Sequence, residues 1–179
     1  MPRGASDAAK VRELMRRLGR EARGAGRVYL VGGASAVLVG WRETTVDVDL
    51  KLDPEPPGVF QAIARAKEAL DMNIELAAPD DFIPPLPDWR QRSLFVARHG
   101  EIDFLHYDFC AQALAKIERG HAQDLRDVSA MIARDLVRMD VLAQLFDAIA
   151  PDFPRYPAID IPSFRRRVDV VIETAGRAS

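Results

Sequence analysis

Eight consecutive residues, Thr45 to Leu52, alternate polar and apolar without a break (T-V-D-V-D-L-K-L). A strand sends successive side chains to opposite faces. The spacing therefore predicts a half-buried strand with Val46, Val48, Leu50 and Leu52 inward and Thr45, Asp47, Asp49 and Lys51 outward. Asp47 and Asp49 then stand side by side. Two carboxylates so held repel each other unless something neutralises them. Mg²⁺ and Mn²⁺, hard cations that take carboxylate oxygen, are the natural neutralisers. The plainer alternative is a solvated strand face.

The segment upstream narrows the choice. Arg27 to Val31 is a short apolar run rich in strand formers, and it runs straight into Gly32-Gly33. The small residues Ala34 to Gly40 follow with helical composition. Glycines after a strand and before a helix let backbone N–H groups approach an anion such as phosphate. Downstream, Ser93–Arg98 and Glu101–Tyr107 read as two strands joined by a tight turn at His99-Gly100. Asp103 lies on the second. Placed beside the first acidic strand it completes a three-carboxylate cluster, with Glu101 as the alternate.

Helical patterns fill most of the rest. Val11, Leu14, Met15, Leu18 and Ala22 recur at helical spacing over residues 7–23, with Ser6 or Asp7 as cap. A helix after Pro54, Pro56 and Pro57 is expected to turn Phe60, Ile63 and Leu70 inward, and Asn73–Leu76 is a short strand. Residues 77–89 hold four prolines and read as a surface loop. Further helices are expected at 109–119, 124–137 and 141–149, then a proline-rich stretch and a last helix capped by Ser163. The organisation expected is one α/β domain over 1–150, with 151–179 a linker and a helix packed on it.

Composition removes several classes. The chain has 179 residues, 48% apolar and 29% charged, enough to bury a core. The formal charge is −2, so bulk charge does not indicate nucleic acid, although Arg165-Arg166-Arg167 form a local basic cluster. A single cysteine, Cys110, excludes an internal disulfide and reads as core filler. With no long apolar run and no apolar leader at the N-terminus, no membrane association is expected and the cytoplasm is the expected compartment.

The stretch LVGGASAVLVGWRETTVDVDL resembles the nucleotidyltransferase superfamily: a hydrophobic strand, Gly-Gly, about a dozen residues, then two aspartates alternating with hydrophobics. It looks closest to small prokaryotic nucleotidyltransferase-like proteins, a group that includes partners in abortive-infection and type IV toxin–antitoxin systems. A later signature of that group, Lys, Arg, Asp and a further Asp, is matched by Lys116, Arg119, Asp124 and Asp127. The resemblance implies a small, mixed, mostly antiparallel sheet flanked by helices, with a helical C-terminal part. It implies transfer of a nucleoside monophosphate from a nucleoside triphosphate to an acceptor hydroxyl on protein, RNA or a small molecule. Asp47, Asp49 and Asp103 would hold Mg²⁺ or Mn²⁺ and carry catalysis. Gly32, Gly33, Ser35, Arg42, Thr44, Thr45, Lys116 and Arg119 would bind the nucleotide. The chain departs from active relatives at Gly33, where serine is common. That departure and the proline-rich tail point to one alternative, a catalytically inactive partner protein of the same fold; the acid-x-Lys pattern Asp49-Leu50-Lys51 points to another, a metal-dependent nuclease, which leaves Gly32-Gly33 without a role.

Overall fold

The structure, a computed structural model, describes residues 3–178. Among them the chain forms two compact units, 3–78 with 93–107 and 79–92 with 108–178.

The first unit holds seven strands and three helices. In chain order these are β1 (Ser6–Asp7), α1 (Ala8–Glu21), β2 (Gly26–Val31), α2 (Gly33–Val39), β3 (Thr44–Thr45), β4 (Asp47–Leu52), α3 (Val59–Ala69), β5 (Asn73–Leu76), β6 (Leu94–His99) and β7 (Ile102–His106). Five strands make one sheet in the order β5-β4-β2-β7-β6, and β1 pairs with β3 alongside. The sheet is mixed: β4 runs antiparallel to β2, and β7 antiparallel to β6, while β2–β7 and β4–β5 are parallel. With the antiparallel β1–β3 pair, antiparallel pairings lead three to two, in the mixed α/β architecture expected.

Burial follows the alternation. Val48, Leu50, Val28, Leu30, Ile74, Ile102 and Phe104 lie on one face, under Val11, Leu14, Met15 and Leu18 of α1, Val37 of α2 and Val59, Ile63 and Ala66 of α3. This layer is the unit's core, and fully burying each aliphatic side chain contributes about 1.5–3 kcal/mol. Asp7 caps α1, its carboxylate accepting from the Lys10 N–H at 2.8 Å.

The unbroken strand expected from Thr45 to Leu52 does not form. Thr45 is buried and Val46 is 63% exposed, the reverse of the alternation. The Thr45 hydroxyl donates to the Asp47 carbonyl at 2.9 Å, and this local bond bends the chain at Val46, separating β3 from β4. Phe60, expected inward, is 48% exposed. The helix starts only at Val59, five residues past Pro54, and Val59, Ala62, Ile63 and Ala66 make its buried face. The hairpin turn falls on Gly100-Glu101, since His99 still pairs with Ile102.

The second unit is helical: α4 (Trp89–Arg92), α5 (Phe109–Arg119), α6 (Ala122–Ala133), α7 (Met139–Ile149) and α8 (Ile161–Arg177). Phe146, Phe153 and Phe164 pack together with centroids 4.9–5.4 Å apart, so the proline-rich stretch is anchored by Phe153. Asp160 caps α8 instead of the expected Ser163, accepting from the Ser163 N–H at 3.0 Å. Asp108 caps α5 and takes two bonds from Arg92 at 3.0 and 2.7 Å, which tie the 79–92 segment to the start of that helix. No helix among the described residues is long and apolar enough to cross a membrane.

Candidate functional site

The candidate residues Asp47 and Asp49 lie on the sheet face opposite the first unit's core. Strand register places the side chains of that face in rungs. Asp47 pairs with Asn73 and Asp49 with Glu75 across β4–β5. Val31 pairs with Asp49, and Tyr29 with Lys51, across β2–β4. Directly paired residues share a face, so Asp47, Asp49, Lys51, Asn73 and Glu75 all project the same way. Asn73 ties two of these acids together. Its Nδ2 donates to Asp47 Oδ1 at 2.5 Å and to Glu75 Oε1 at 3.2 Å.

Gly32 and Gly33 sit at the end of β2, beside this face. Gly32 has φ +58° and ψ −122°, a conformation open essentially to glycine alone. A Cβ there would stand 3.5 Å from Asp49 Oδ2, so the carboxylate lies against the glycine turn. Gly33 is required for a different reason: a Cβ at Gly33 would lie 1.9 Å from Thr45 Oγ1. The Thr45 hydroxyl occupies the space in which a serine side chain at this position would begin.

Asp103 does not join the pair. On β7 it is level with Arg27, four residues along β2 from Val31, the partner of Asp49. That is about 13 Å along the strand. Its carboxylate accepts two bonds from Arg98, at 2.6 and 3.0 Å, and Arg98 holds it below its ordinary pKa. Glu101 lies further still, in the exposed turn. The residue sequence reasoning missed is Glu75, the cross-strand neighbour of Asp49. The signal was the short alternation Asn73-Ile74-Glu75-Leu76, with Ile74 buried and Glu75 exposed. Among the described residues, no three His, Cys, Asp or Glu side chains converge closely enough to hold an ion as they stand.

The remaining candidates in this unit divide. Thr44 is exposed, on β3 opposite Asp7, and Arg42 is half-buried between α2 and β3. Ser35 is fully buried. Its hydroxyl donates to the Leu30 carbonyl at 3.0 Å and lies 2.8 Å from His106 Nδ1. The single hydroxyl hydrogen is used on Leu30, so Nδ1 carries the imidazole proton and donates to Ser35. Burial pushes the His106 pKa down to about 4, and the ring is neutral at neutral pH.

Lys116 and Arg119 belong to the second unit. The link between α5 and α6 is two residues, Gly120 and His121, with Gly120 left-handed at φ +71°. This sharp link brings the last turn of α5 beside the first turns of α6. Lys116 Nζ donates to Asp127 Oδ2 at 2.8 Å and reaches Asp124 Oδ1 at 3.5 Å. Arg119 grips Asp124 with two bonds, at 2.7 and 2.5 Å. Asp124 and Asp127 are 3% and 1% exposed. Burial raises the Asp124 pKa, and the Arg119 bond with the Lys116 and Arg119 charges outweighs it, so the net shift is downward. Cys110 is buried and its thiol is pushed up to about 12, by burial first and the Asp108 charge second, so it is inert at neutral pH.

Residues 9–158 match a protein-family model described as a nucleotidyltransferase of unknown function (DUF6036). No curated protein and no solved structure matches the chain.

Proposed function

We propose that the chain, which belongs to this family of nucleotidyltransferases of unknown function, transfers a nucleoside monophosphate from a nucleoside triphosphate to an acceptor hydroxyl, with Asp47, Asp49 and Glu75 as its acidic centre. The observation that carries this reading is the placement of Asp47 and Asp49 beside a glycine turn whose backbone admits no side chain. The donor set is entirely carboxylate oxygen, the set that Mg²⁺ or Mn²⁺ prefers. A divalent ion bound there would neutralise triphosphate charge.

The chain's own residues supply the rest. The backbone at Gly32 and Gly33 lets phosphate oxygens come close. Asn73 holds Asp47 and Glu75 in register. Glu75 takes the part that the sequence assigned to Asp103 and accepts the proton of the attacking hydroxyl. The acceptor oxygen bonds to the α-phosphorus while the α–β phosphoanhydride bond breaks, and pyrophosphate leaves.

A second reading has its own support. The three acids do not converge as they stand, which suits a protein that keeps the fold as a binding partner without catalysis. Titration of the full chain with ATP and GTP, with and without Mg²⁺, separates the two. Metal-dependent triphosphate affinity that Asp47→Asn removes is the expected result, followed by labelled transfer in cell extract. No affinity for either triphosphate would sink the transferase reading in favour of the partner protein.

A further inference from the structure

The first unit is electrically two-sided. Helix α1 carries Lys10, Arg12, Arg16, Arg17 and Arg20 against only Glu13 and Glu21. Its apolar stripe, Val11, Leu14, Met15 and Leu18, is buried in the core, so the opposite side of the helix faces outward. Arg12, Arg16 and Arg20 recur there every four residues, one above another. Arg12 is exposed, and the Arg16 and Arg20 side chains are 47% and 62% exposed. The one acid among them, Glu13, is shared by Arg16, Arg17 and Arg20 at 3.0–3.4 Å, so it cannot cancel them. Only Arg20 lies in the last turn, where a cation complements the helix dipole. Arg12 and Arg16 have no such local purpose.

We propose that this face of α1 is a docking surface for the phosphate backbone of a nucleic acid. The row from Arg12 to Arg20 is about 12 Å long. A duplex presents one negative charge per about 1.7 Å of axis, so the row spans several phosphates at once. Arginine, with its planar fork of donors, suits phosphate oxygens better than lysine does. Contacts with Glu13 are exposed ion pairs of small net strength, and phosphate competes with them readily. A lipid surface is a poorer match, because interfacial helices bury an apolar face in the headgroups and the apolar face of α1 is already used by the core. The other basic cluster, on α8, makes no such row: Arg165, Arg166 and Arg167 are consecutive and so splay around the helix, and Arg167 is turned to the Glu118 carbonyl. The surface recognises charge spacing and does not read bases, which fits a chain of net charge −2 with a local row of arginines on one helix. It stands whether or not the acidic face proves catalytic.

The test is fluorescence anisotropy of the full chain with a labelled RNA strand and its duplex, over a salt series. Salt-dependent binding is expected, and Arg12→Gln, Arg16→Gln and Arg20→Gln combined should weaken it at least about tenfold at low salt. The triple variant should also flatten the salt slope by about 0.9 per arginine on the duplex. Replacing Arg165 and Arg166 by Gln should leave binding intact. Circular dichroism confirms that the variants fold. If neither RNA form binds at low salt, or the triple variant binds as the parent does, the proposal fails. Binding to anionic phosphatidylserine vesicles in place of RNA would overturn it in favour of a lipid surface.

Discussion

Asp47 and Asp124 are both aspartates held by hydrogen bonds, in regions of opposite character. Asp47 lies exposed on a sheet face and takes an amide hydrogen from Asn73, which also holds Glu75. Asp124 is 3% exposed and gripped by Arg119 and Lys116, with Asp127 sharing the Lys116 ammonium. In the helical unit Asp124 and Asp127 both meet cations of α5, so their charges hold α5 to α6. On the sheet, acid stands beside acid with an amide between. Asp47 and Glu75 are both exposed, so that arrangement gains little for folding. The contrast teaches that a carboxylate's role follows from the neighbour that neutralises it.

The contrast breaks most sharply in activity. Asp47→Ala should lower labelled nucleotide transfer by about 10³-fold, the scale of losing a group that stabilises transition-state charge. Asp103→Asn should leave transfer unchanged, because Asp103 lies four rungs away and pairs with Arg98. Equal losses in the two variants would refute the rung argument.

Stability should show the reverse order. Lys116→Met removes the ammonium that the buried Asp127 and Asp124 share, while Arg119 stays on Asp124, and should cost about 3–5 kcal/mol in denaturant unfolding. Asp47→Asn, on the exposed face, should stay within about 0.5 kcal/mol. If both variants lose stability equally, the acidic face is structural as well.

Gly33→Ala comes next, because its Cβ would collide with Thr45 Oγ1 and Cβ. A cost of about 1–3 kcal/mol is expected. Thr45→Gly in the same chain removes both colliding atoms, so the double variant should lose less than the two single costs added together. Strict additivity would show that the contact is not what limits residue 33.

The smallest effect is in pH. The folded Asp124 pKa lies below its ordinary value. Its contribution is therefore full above the unfolded pKa of about 3.9 and is lost as pH falls through the folded value. Melting temperature should drop on acidification below that range, and less steeply in Asp124→Asn. Identical acid limbs for the two proteins would assign the acid sensitivity to other groups.

Much of this was legible beforehand because it is local. Period-two alternation in Val48–Leu52 and helical spacing in Val11, Leu14, Met15 and Leu18 report burial directly, and both faces came out as read. The Gly-Gly turn and the same-side placement of Asp47 and Asp49 need only the geometry of one strand end. Asp103 and Glu75 were not legible in that way. Each alternates within its own strand, and nothing local says which strand will lie beside β4. Thr45 and Val46 were misread because a hydroxyl bond to the Asp47 carbonyl overrode the alternation.

The sequence by itself therefore determined most of the elements, the buried faces of α1 and β4 and the acid pair, since these depend on contacts a few residues apart. The tertiary structure alone decided which acid stands beside the pair. Strand order and register place β5 against β4 and set Asp103 at the level of Arg27. It also decided that Lys116 and Arg119 are held by Asp124 and Asp127. The physical reason is that strand pairing is settled between segments far apart in the chain, by which faces close on one another, and that the ion pairs across α5 and α6 depend on how the two helices meet at their link.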